Sequence, residues 1–250
     1  MNTTKPKTIA LIPARLQSTR LPRKALADIC GLPMIVHVYR RCMLAKHVDE
    51  VYVATDNEEI CETVESLGGR VIMTSTAHET GTDRIAEAAR KLDTEIVVNV
   101  QGDEVLVNPE YIDRVVEALY FDPSLDVAIL VNPFYKRDSP SDIKAVLNEQ
   151  NDVMYLSRTD IPSDARSSNP QLLKAYHIVP FRKEFLLRYA AWEKGVLEQI
   201  EFNEYLRILE KGFRIRAVRV ESDAVSVDTS EDLEYVRNKM PSDPFYLRYS

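Results

Sequence analysis

Near its N-terminus the chain reads Thr8-Ile9-Ala10-Leu11-Ile12-Pro13-Ala14-Arg15-Leu16-Gln17-Ser18-Thr19-Arg20-Leu21-Pro22-Arg23-Lys24. The apolar run Thr8 to Ile12 predicts a β-strand, and the loop after it carries three spaced cations, Arg15, Arg20 and Lys24. Ligands of open α/β sheets bind beyond the carboxyl ends of strands. Arg and Lys side chains at such a place suit phosphate oxygens. The stretch therefore predicts a polyanion site, with a solvated basic loop as the alternative interpretation.

Composition and charge limit the class of protein. With 250 residues and 45% hydrophobic content, the chain can bury the core of one domain, or of one domain with a small insertion. We predict this domain at 1–240, followed by a C-terminal tail at 241–250. The net charge of -7 argues against a nucleic-acid or membrane-surface protein, because such proteins present a basic face. We therefore expect no nucleic-acid partner and no membrane partner.

The expected compartment is the cytoplasm. The N-terminal region shows neither a signal peptide nor a run of roughly 20 apolar residues. Cys30, Cys42 and Cys61 are odd in number and lack CxxC spacing, so we interpret them as reduced thiols.

Short β-branched runs alternate with longer amphipathic stretches along the chain. This pattern is typical of an α/β fold with a mostly parallel central sheet flanked by helices. The second half predicts a small mixed region, with a strand at Tyr176–Phe181 and helices at Lys183–Trp192 and Glu201–Lys211.

Two carboxylates stand at the ends of apolar stretches. Asp103 follows the strand Ile96 to Val100, and Asp228 follows an apolar segment just before a predicted helix. Mg²⁺ beside phosphates is commonly held by one or two carboxylates, together with waters and substrate oxygens. The pattern predicts that Asp103 and Asp228 share Mg²⁺. Alternatively, Asp103 is a turn residue, and Asp228 or Ser230 is a helix N-cap.

Two common nucleotide-binding signatures, GxxxxGK[ST] and GxGxxG, are absent from the sequence. With only 7 Gly in 250 residues, glycine backbone cannot supply the main phosphate cradle. Side-chain cations must then bind the phosphates, which narrows the class to nucleotide-binding folds that use Arg and Lys in place of a P-loop.

Seven blocks of the sequence carry a resemblance to a known family. They are Ile12-Pro13-Ala14-Arg15 with Ser18-Thr19-Arg20-Leu21-Pro22 and Lys24, Gly31-Leu32-Pro33-Met34-Ile35, Val53-Ala54-Thr55-Asp56, His78-Glu79-Thr80-Gly81-Thr82-Asp83-Arg84, Asn99-Val100-Gln101-Gly102-Asp103-Glu104, Tyr155-Leu156-Ser157-Arg158 and Val227-Asp228-Thr229-Ser230-Glu231-Asp232-Leu233. In this order they resemble the 3-deoxy-manno-octulosonate (Kdo) cytidylyltransferase, or CMP-Kdo synthetase, family.

The resemblance implies a fold, an assembly and a reaction. The fold is a glycosyltransferase-A-like nucleotidyltransferase fold, and the assembly is a homodimer. In the reaction, CTP and a sugar acid give the CMP-sugar and pyrophosphate, a step of lipopolysaccharide biosynthesis. The acceptor hydroxyl would attack the α-phosphorus in line, so catalysis would consist largely of positioning and charge stabilisation.

The resemblance also implies roles for single residues. Arg15, Arg20 and Lys24 would bind the CTP phosphates and stabilise charge on the departing pyrophosphate. Asp103 and Asp228 would hold Mg²⁺, which can lower the pKa of the attacking hydroxyl, so that no His base is required. The cytidine pocket would be formed by Leu11, Ala14, Thr80, Gly81 and Arg84, with Gln101 near the ribose and the base edge.

The acceptor half departs from the family pattern. Ala175 stands where the family has a sugar-acid-binding His, Val179 replaces a Tyr, and Tyr205 replaces a Gln. A site that loses hydrogen-bond partners discriminates against its substrate, so we expect poor use of Kdo. The acceptor is then Kdo, its 8-amino analogue, another sugar acid, or a small phosphonate or carboxylate.

Three polar residues remain as candidate acceptor-binding groups, namely Arg158, Lys174 and Glu204. Two other interpretations stay open at this point. One is a nucleotide-sugar-binding glycosyltransferase on the same fold, which the Arg-Arg-Lys loop disfavours. The other is a catalytically silent binding protein, which the presence of both Asp103 and Asp228 disfavours.

Overall fold

The computed structural model describes residues 7–18, 20–166, 170–222 and 225–250, so Thr19 of the basic loop lies outside them. The described strands are β1 (Thr8–Ala14), β2 (Asp28–Ile29), β3 (Leu32–Pro33), β4 (Glu50–Thr55), β5 (Val71–Met73), β6 (Ile96–Val100), β7 (Ala128–Phe134), β8 (Lys144–Leu147), β9 (Val153–Ser157), β10 (Leu172–Tyr176), β11 (Ile178–Arg182) and β12 (Arg216–Arg219). The described α-helices are α1 (Met34–Cys42), α2 (Glu58–Ser66), α3 (Gly81–Arg90), α4 (Pro109–Phe121), α5 (Lys183–Tyr189), α6 (Val196–Glu201), α7 (Leu206–Glu210) and α8 (Ser230–Lys239).

Contacts within the chain divide it into two compact units. The first comprises 1–113 and 223–250, and the second comprises 114–222. Two such units can belong to one domain, so the domain at 1–240 stays a prediction. Within the described ranges, no helix combines the length and the apolar character needed to cross a membrane.

The first unit contains a parallel sheet in which β1 lies between β6 and β4, with β5 beyond β4. Strands β1 and β6 are almost wholly buried, as expected for parallel strands covered on both faces. Because parallel strands end at the same edge, the residues after β1, β4 and β6 converge there. The predicted α/β class with a parallel sheet flanked by helices is confirmed.

Residues of the predicted C-terminal tail pack against α1 in the first unit. Arg41 is fully buried, and its Nη2 lies 2.6 Å from Asp243 Oδ1. The Nε of Arg41 also donates to the hydroxyl of Tyr249 at 3.2 Å, and Nη1 donates to the carbonyl of Val107 at 3.1 Å. The tail therefore completes the core of this unit.

The second unit contains a mixed sheet in the order β12-β7-β10-β8-β9. Strands β12 and β7 are parallel, whereas β7 and β10, β10 and β8, and β8 and β9 are antiparallel. This sheet is the mixed region that the sequence predicts.

Two elements predicted for the second unit are wrong. The strand at Tyr176–Phe181 is two strands, because the chain bends at His177 and Tyr176 pairs with Leu130 while Phe181 pairs with Val127. The helix predicted at Glu201–Lys211 is also wrong, because Glu201 is the last residue of α6 and only Leu206–Glu210 forms a further helix there, α7. Phe202 between them has φ 49, which lies outside the helical region, so it ends α6.

Candidate active site

A cavity of about 660 Å³ lies in the first unit at the carboxyl ends of β1 and β6. All three predicted phosphate-binding cations line it, as do Asp103 and Asp228. Gly102 permits this arrangement, since a Cβ there would lie 3.2 Å from the carbonyl oxygen of Pro13 and 3.1 Å from Ile35 Cδ1. The structure thus brings together residues that the sequence assigns to phosphate and metal.

Lys24 lies at the centre of this charged cluster. Its Nζ donates to Asp103 Oδ2 at 2.7 Å and to Asp228 Oδ1 at 3.1 Å. Arg20 Nη2 lies 2.9 Å from the same oxygen of Asp228. Arg15 is exposed at the cavity and has no ion pair with any other described residue.

Local backbone structure aims the Lys24 side chain into the cavity. Lys24 begins a single 3-10 turn, Lys24–Leu26, after Arg23, which has a left-handed φ of 57. Burial lowers the pKa of the Lys24 ammonium, but the charges of Asp103 and Asp228 outweigh it, so that the pKa is raised from its ordinary value. Lys24 is therefore a cation whose charge the site itself stabilises.

Asp228 is positioned by the start of α8. The N-cap is Thr229, whose Oγ1 accepts from Asp232 N at 3.2 Å, so neither Asp228 nor Ser230 is the N-cap. The carboxylate of Asp232 accepts in turn from Asp228 N at 3.0 Å and from Thr229 N at 2.9 Å. This capping box leaves the Asp228 carboxylate available to the cavity.

A backbone contact links the two carboxylates. Val227 N donates to the carbonyl of Asp103 at 3.1 Å, and Ser226 Oγ donates to Glu104 Oε1 at 2.6 Å. These contacts hold the segment before α8 beside the residues after β6. Sequence reasoning missed Thr229, Asp232 and Ser226, although the Thr-x-x-Asp spacing of a capping box was a readable signal.

The residues fit a divalent cation. Two carboxylate oxygens lie within hydrogen-bonding distance of one atom, Lys24 Nζ, and a positive charge already occupies the space between them. Oxygen donors of this kind suit hard divalent ions that complete their coordination with phosphate oxygens and water. Among the described residues, no group of three or more His, Cys, Asp and Glu side chains could hold a metal.

A smaller cavity of about 130 Å³ shares Pro13, Ala14, Arg15 and Gln101 with the first one. Thr80, Gly81 and Arg84 line it as well, so the structure brings these predicted pocket residues together at the start of α3. The Cβ of a residue at Gly81 would lie 3.1 Å from Pro13 Cγ and 3.5 Å from Gln101 Nε2, so a larger residue there would crowd Pro13.

Arg84 is a buried part of the wall of this cavity. Its Nη2 lies 2.7 Å from Asp56 Oδ2, and its Nη1 donates to Thr74 Oγ1 at 2.7 Å. Asp56 and Thr74 are thus supporting residues that sequence reasoning missed. Leu11, by contrast, is fully buried in β1, and its side chain lines neither of the two cavities.

The sequence contains four histidines, and two of them have clear structural roles. His37 is buried, with Nε2 2.8 Å from the carbonyl of Ile29, and burial lowers the pKa of its imidazole. His78 lines the smaller cavity, with Nε2 2.5 Å from Glu87 Oε2. Both rings therefore hold local structure in place.

The predicted acceptor-binding residues lie in the second unit, and the charged groups of two of them contact other residues of that unit. Arg158 donates from all three guanidinium nitrogens to the backbone carbonyls of Glu201, Pro140 and Phe202, at 2.8, 2.8 and 3.1 Å. Lys174 Nζ lies 2.6 Å from Asp142 Oδ1. The third residue, Glu204, accepts through its carbonyl from the hydroxyl of Tyr189 at 3.0 Å.

The three positions of the acceptor half that depart from the family pattern lie in the core. Ala175 and Val179 are fully buried in β10 and β11, and Tyr205 is 2% exposed. The ring of Tyr205 lies 5.9 Å from that of His177 and 6.4 Å from that of Phe181. Within the second unit these residues therefore act through packing.

Comparison with known proteins gives a consistent result. The family model described as "Cytidylyltransferase" matches residues 9–216. The 3-deoxy-manno-octulosonate cytidylyltransferase of Geobacter metallireducens is 43% identical over 248 residues, which cover 94% of this chain and 98% of that protein. The enzyme of the same name from Escherichia coli is 38% identical over 236 residues, covering 94% and 96%.

Solved structures agree with these relatives. A CMP:2-keto-3-deoxy-manno-octonic acid synthetase complexed with CTP superposes with a TM-score of 0.91 at 38% identity, over 94% of this chain and 99% of that one. A cytidylyltransferase from Leptospira borgpetersenii has a TM-score of 0.66 at 20% identity, covering 97% and 92%, and is similar in fold alone.

Proposed function

The chain belongs to the family of 3-deoxy-manno-octulosonate (Kdo) cytidylyltransferases, and on that premise we propose how its residues transfer the CMP part of CTP to Kdo with release of pyrophosphate. The observation that carries the proposal is the cluster of Lys24, Asp103 and Asp228 in a cavity at the strand ends. Such a cluster provides both cations for phosphates and carboxylates for a metal.

Arg15, Arg20 and Lys24 bind the triphosphate. All three line the larger cavity, and Arg15 faces it without a competing ion pair among the described residues. Charge develops on the pyrophosphate as the α-phosphorus is attacked, and fixed cations in a partly enclosed site stabilise that charge. Arg15 follows β1 directly, and the loop after it brings Arg20 and Lys24 to the same cavity, so the three cations are gathered there before the reaction.

Asp103 and Asp228 hold Mg²⁺. The metal, when bound, supplies Lewis-acid stabilisation of phosphoryl oxygens and lowers the pKa of a coordinated hydroxyl. The contact between Val227 N and the Asp103 carbonyl keeps the two carboxylates together, and the Thr229–Asp232 capping box orients Asp228. The chain's residues thus prepare an oxygen-rich site beside the cations.

The smaller cavity accepts the cytidine, with Thr80, Gly81, Arg84 and Gln101 around it. Its volume of about 130 Å³ and the rigid pairing of Arg84 with Asp56 limit the size of the base. We expect kcat/KM with CTP to exceed that with ATP or GTP by at least about a hundredfold, because a purine base is larger than the pyrimidine that we assign to this cavity. Pyrophosphate release with each nucleotide at equal Mg²⁺ measures this ratio, and equal turnover with ATP contradicts the assignment of the cavity.

The acceptor is tested by kcat/KM for Kdo beside 8-amino-Kdo, other sugar acids and phosphonates, at fixed CTP and Mg²⁺. The family favours Kdo as the acceptor. The burial of Ala175, Val179 and Tyr205 agrees with this, because within their unit these side chains pack in the core and are not exposed to an acceptor. The departures of the sequence from the family pattern, by contrast, predict poor use of Kdo. A value for Kdo that matches or exceeds all alternatives supports Kdo as the acceptor, and a value more than about tenfold below another acid supports the sequence expectation.

The proposal includes a homodimer working in the cytoplasm in lipopolysaccharide biosynthesis. Val196, Ile200 and Phe202 on and after α6 are 67%, 66% and 81% exposed, an apolar surface that suits a subunit contact. The described cysteines are free thiols, in keeping with a reducing compartment.

A further inference from the structure

Lys24 occupies the position between the two carboxylates that the proposed function assigns to a metal. Its Nζ contacts Asp103 at 2.7 Å and Asp228 at 3.1 Å, and its side chain is 19% exposed. We infer that Lys24 stands in for the divalent cation when no nucleotide is bound, and that it must leave this position before the metal binds. This inference rests on the proposed function, since it concerns the same two carboxylates.

Charge balance explains why the ammonium and the metal exclude each other. Asp103 and Asp228 contribute two negative charges, and Lys24 and Arg20 neutralise them in the ion pairs of the structure. A divalent ion added at the same oxygens meets a positive charge at a distance of only a few ångströms, where repulsion is strong in a partly buried site. Metal affinity without nucleotide is therefore low.

The triphosphate relieves this conflict. Lys24 lines the same cavity as Arg15 and Arg20, so a pivot of its side chain brings the ammonium from the carboxylates to phosphate oxygens. The carboxylates are then free for the metal, and the triphosphate supplies further ligands to it. Nucleotide and metal thus bind with positive coupling, and Lys24 is the residue that links the two events. In the absence of nucleotide it also keeps the carboxylates from capturing stray cations.

The test is a titration of the nucleotide-free protein with Mn²⁺. The electron paramagnetic resonance signal of the free ion measures how much Mn²⁺ is bound. For Lys24→Met we expect Mn²⁺ to bind at least about tenfold more tightly than to the unmodified chain, because the competing ammonium is gone. Lys24→Gln, which keeps a polar group, should show the same direction. The matched control is Arg23→Met, which removes the neighbouring cation whose partner is Glu59 and should change the affinity by less than about twofold.

The outcomes separate this inference from the proposed function. An Mn²⁺ affinity of both Lys24 variants within twofold of the unmodified chain overturns the inference, while Mn²⁺ binding in the presence of CTP still supports the metal site. If no form of the chain binds Mn²⁺ even with CTP, the metal assignment fails and the inference fails with it. Thermal unfolding monitors folding of each variant, and Mn²⁺ should raise the Tm of Lys24→Met more than that of the unmodified chain.

Discussion

Asp103→Asn and Asp228→Asn should each lower CTP- and Kdo-dependent pyrophosphate release by at least about a thousandfold, a loss of about 4 kcal/mol of transition-state stabilisation. An amide oxygen is a weaker ligand than a carboxylate for a hard divalent cation, so the variants lose the metal. Folding should be preserved, because Asn has the shape of Asp and can still accept a hydrogen bond from Lys24, as each carboxylate does. The measurement is kcat and KM at saturating Mg²⁺, together with the Tm.

The matched control for these variants is Asp93→Asn. Asp93 is exposed and precedes β6, so it lies at the opposite end of that strand from Asp103. Asp93→Asn changes the net charge of the chain by the same amount as Asp103→Asn or Asp228→Asn, but it leaves the cavity unchanged. Its turnover should therefore stay within about twofold of that of the unmodified chain. Near-normal turnover of Asp103→Asn or Asp228→Asn at saturating Mg²⁺ would remove that residue from the metal site.

The nucleotide half could be predicted from sequence because its signals are local. A strand followed by a loop with three cations, and a buried strand followed closely by an Asp, both place charged groups at the edge of an α/β sheet where ligands bind. The mutual pairing of Lys24 with both carboxylates could not be predicted, since its partners lie 79 and 204 positions away in sequence. Only the folded chain shows that one ammonium contacts both.

Sequence reasoning was less successful for the second unit because its decisive features are tertiary. Arg158 suggests an anion anchor, but its guanidinium is engaged by three backbone carbonyls of its own unit. The helical pattern at Glu201–Lys211 does not reveal that Phe202 adopts a left-handed conformation. The short helices on either side of Phe202 need a tertiary contact to hold them, and a buried ion pair supplies it.

That ion pair joins Glu198 of α6 to Arg207 of α7. Arg207 Nε donates to Glu198 Oε2 at 2.7 Å and Nη2 donates to Oε1 at 2.6 Å, in a bidentate arrangement. Both side chains are buried, and the guanidinium lies 4.6 Å from the centre of the Tyr189 ring. Glu198 Oε2 also accepts from Gly195 N at 3.1 Å, which caps the start of α6. One carboxylate therefore stabilises two helices.

Glu198→Ala should lower the free energy of unfolding by about 3–5 kcal/mol, because it leaves the buried guanidinium of Arg207 without its carboxylate. Urea unfolding followed by the fluorescence of Trp192 measures this, since the chain contains one Trp and its carbonyl accepts from Arg207 Nη1 at 3.3 Å. The exposed Glu193→Ala is the control and should change the free energy by less than about 0.5 kcal/mol. Replacing Glu198 and Arg207 together by Met should cost less than Glu198→Ala alone, because neither charge of the buried pair then remains. If the double variant is the less stable of the two, the cost of Glu198→Ala does not come from the isolated charge, and the pair contributes mainly through its packing against Tyr189.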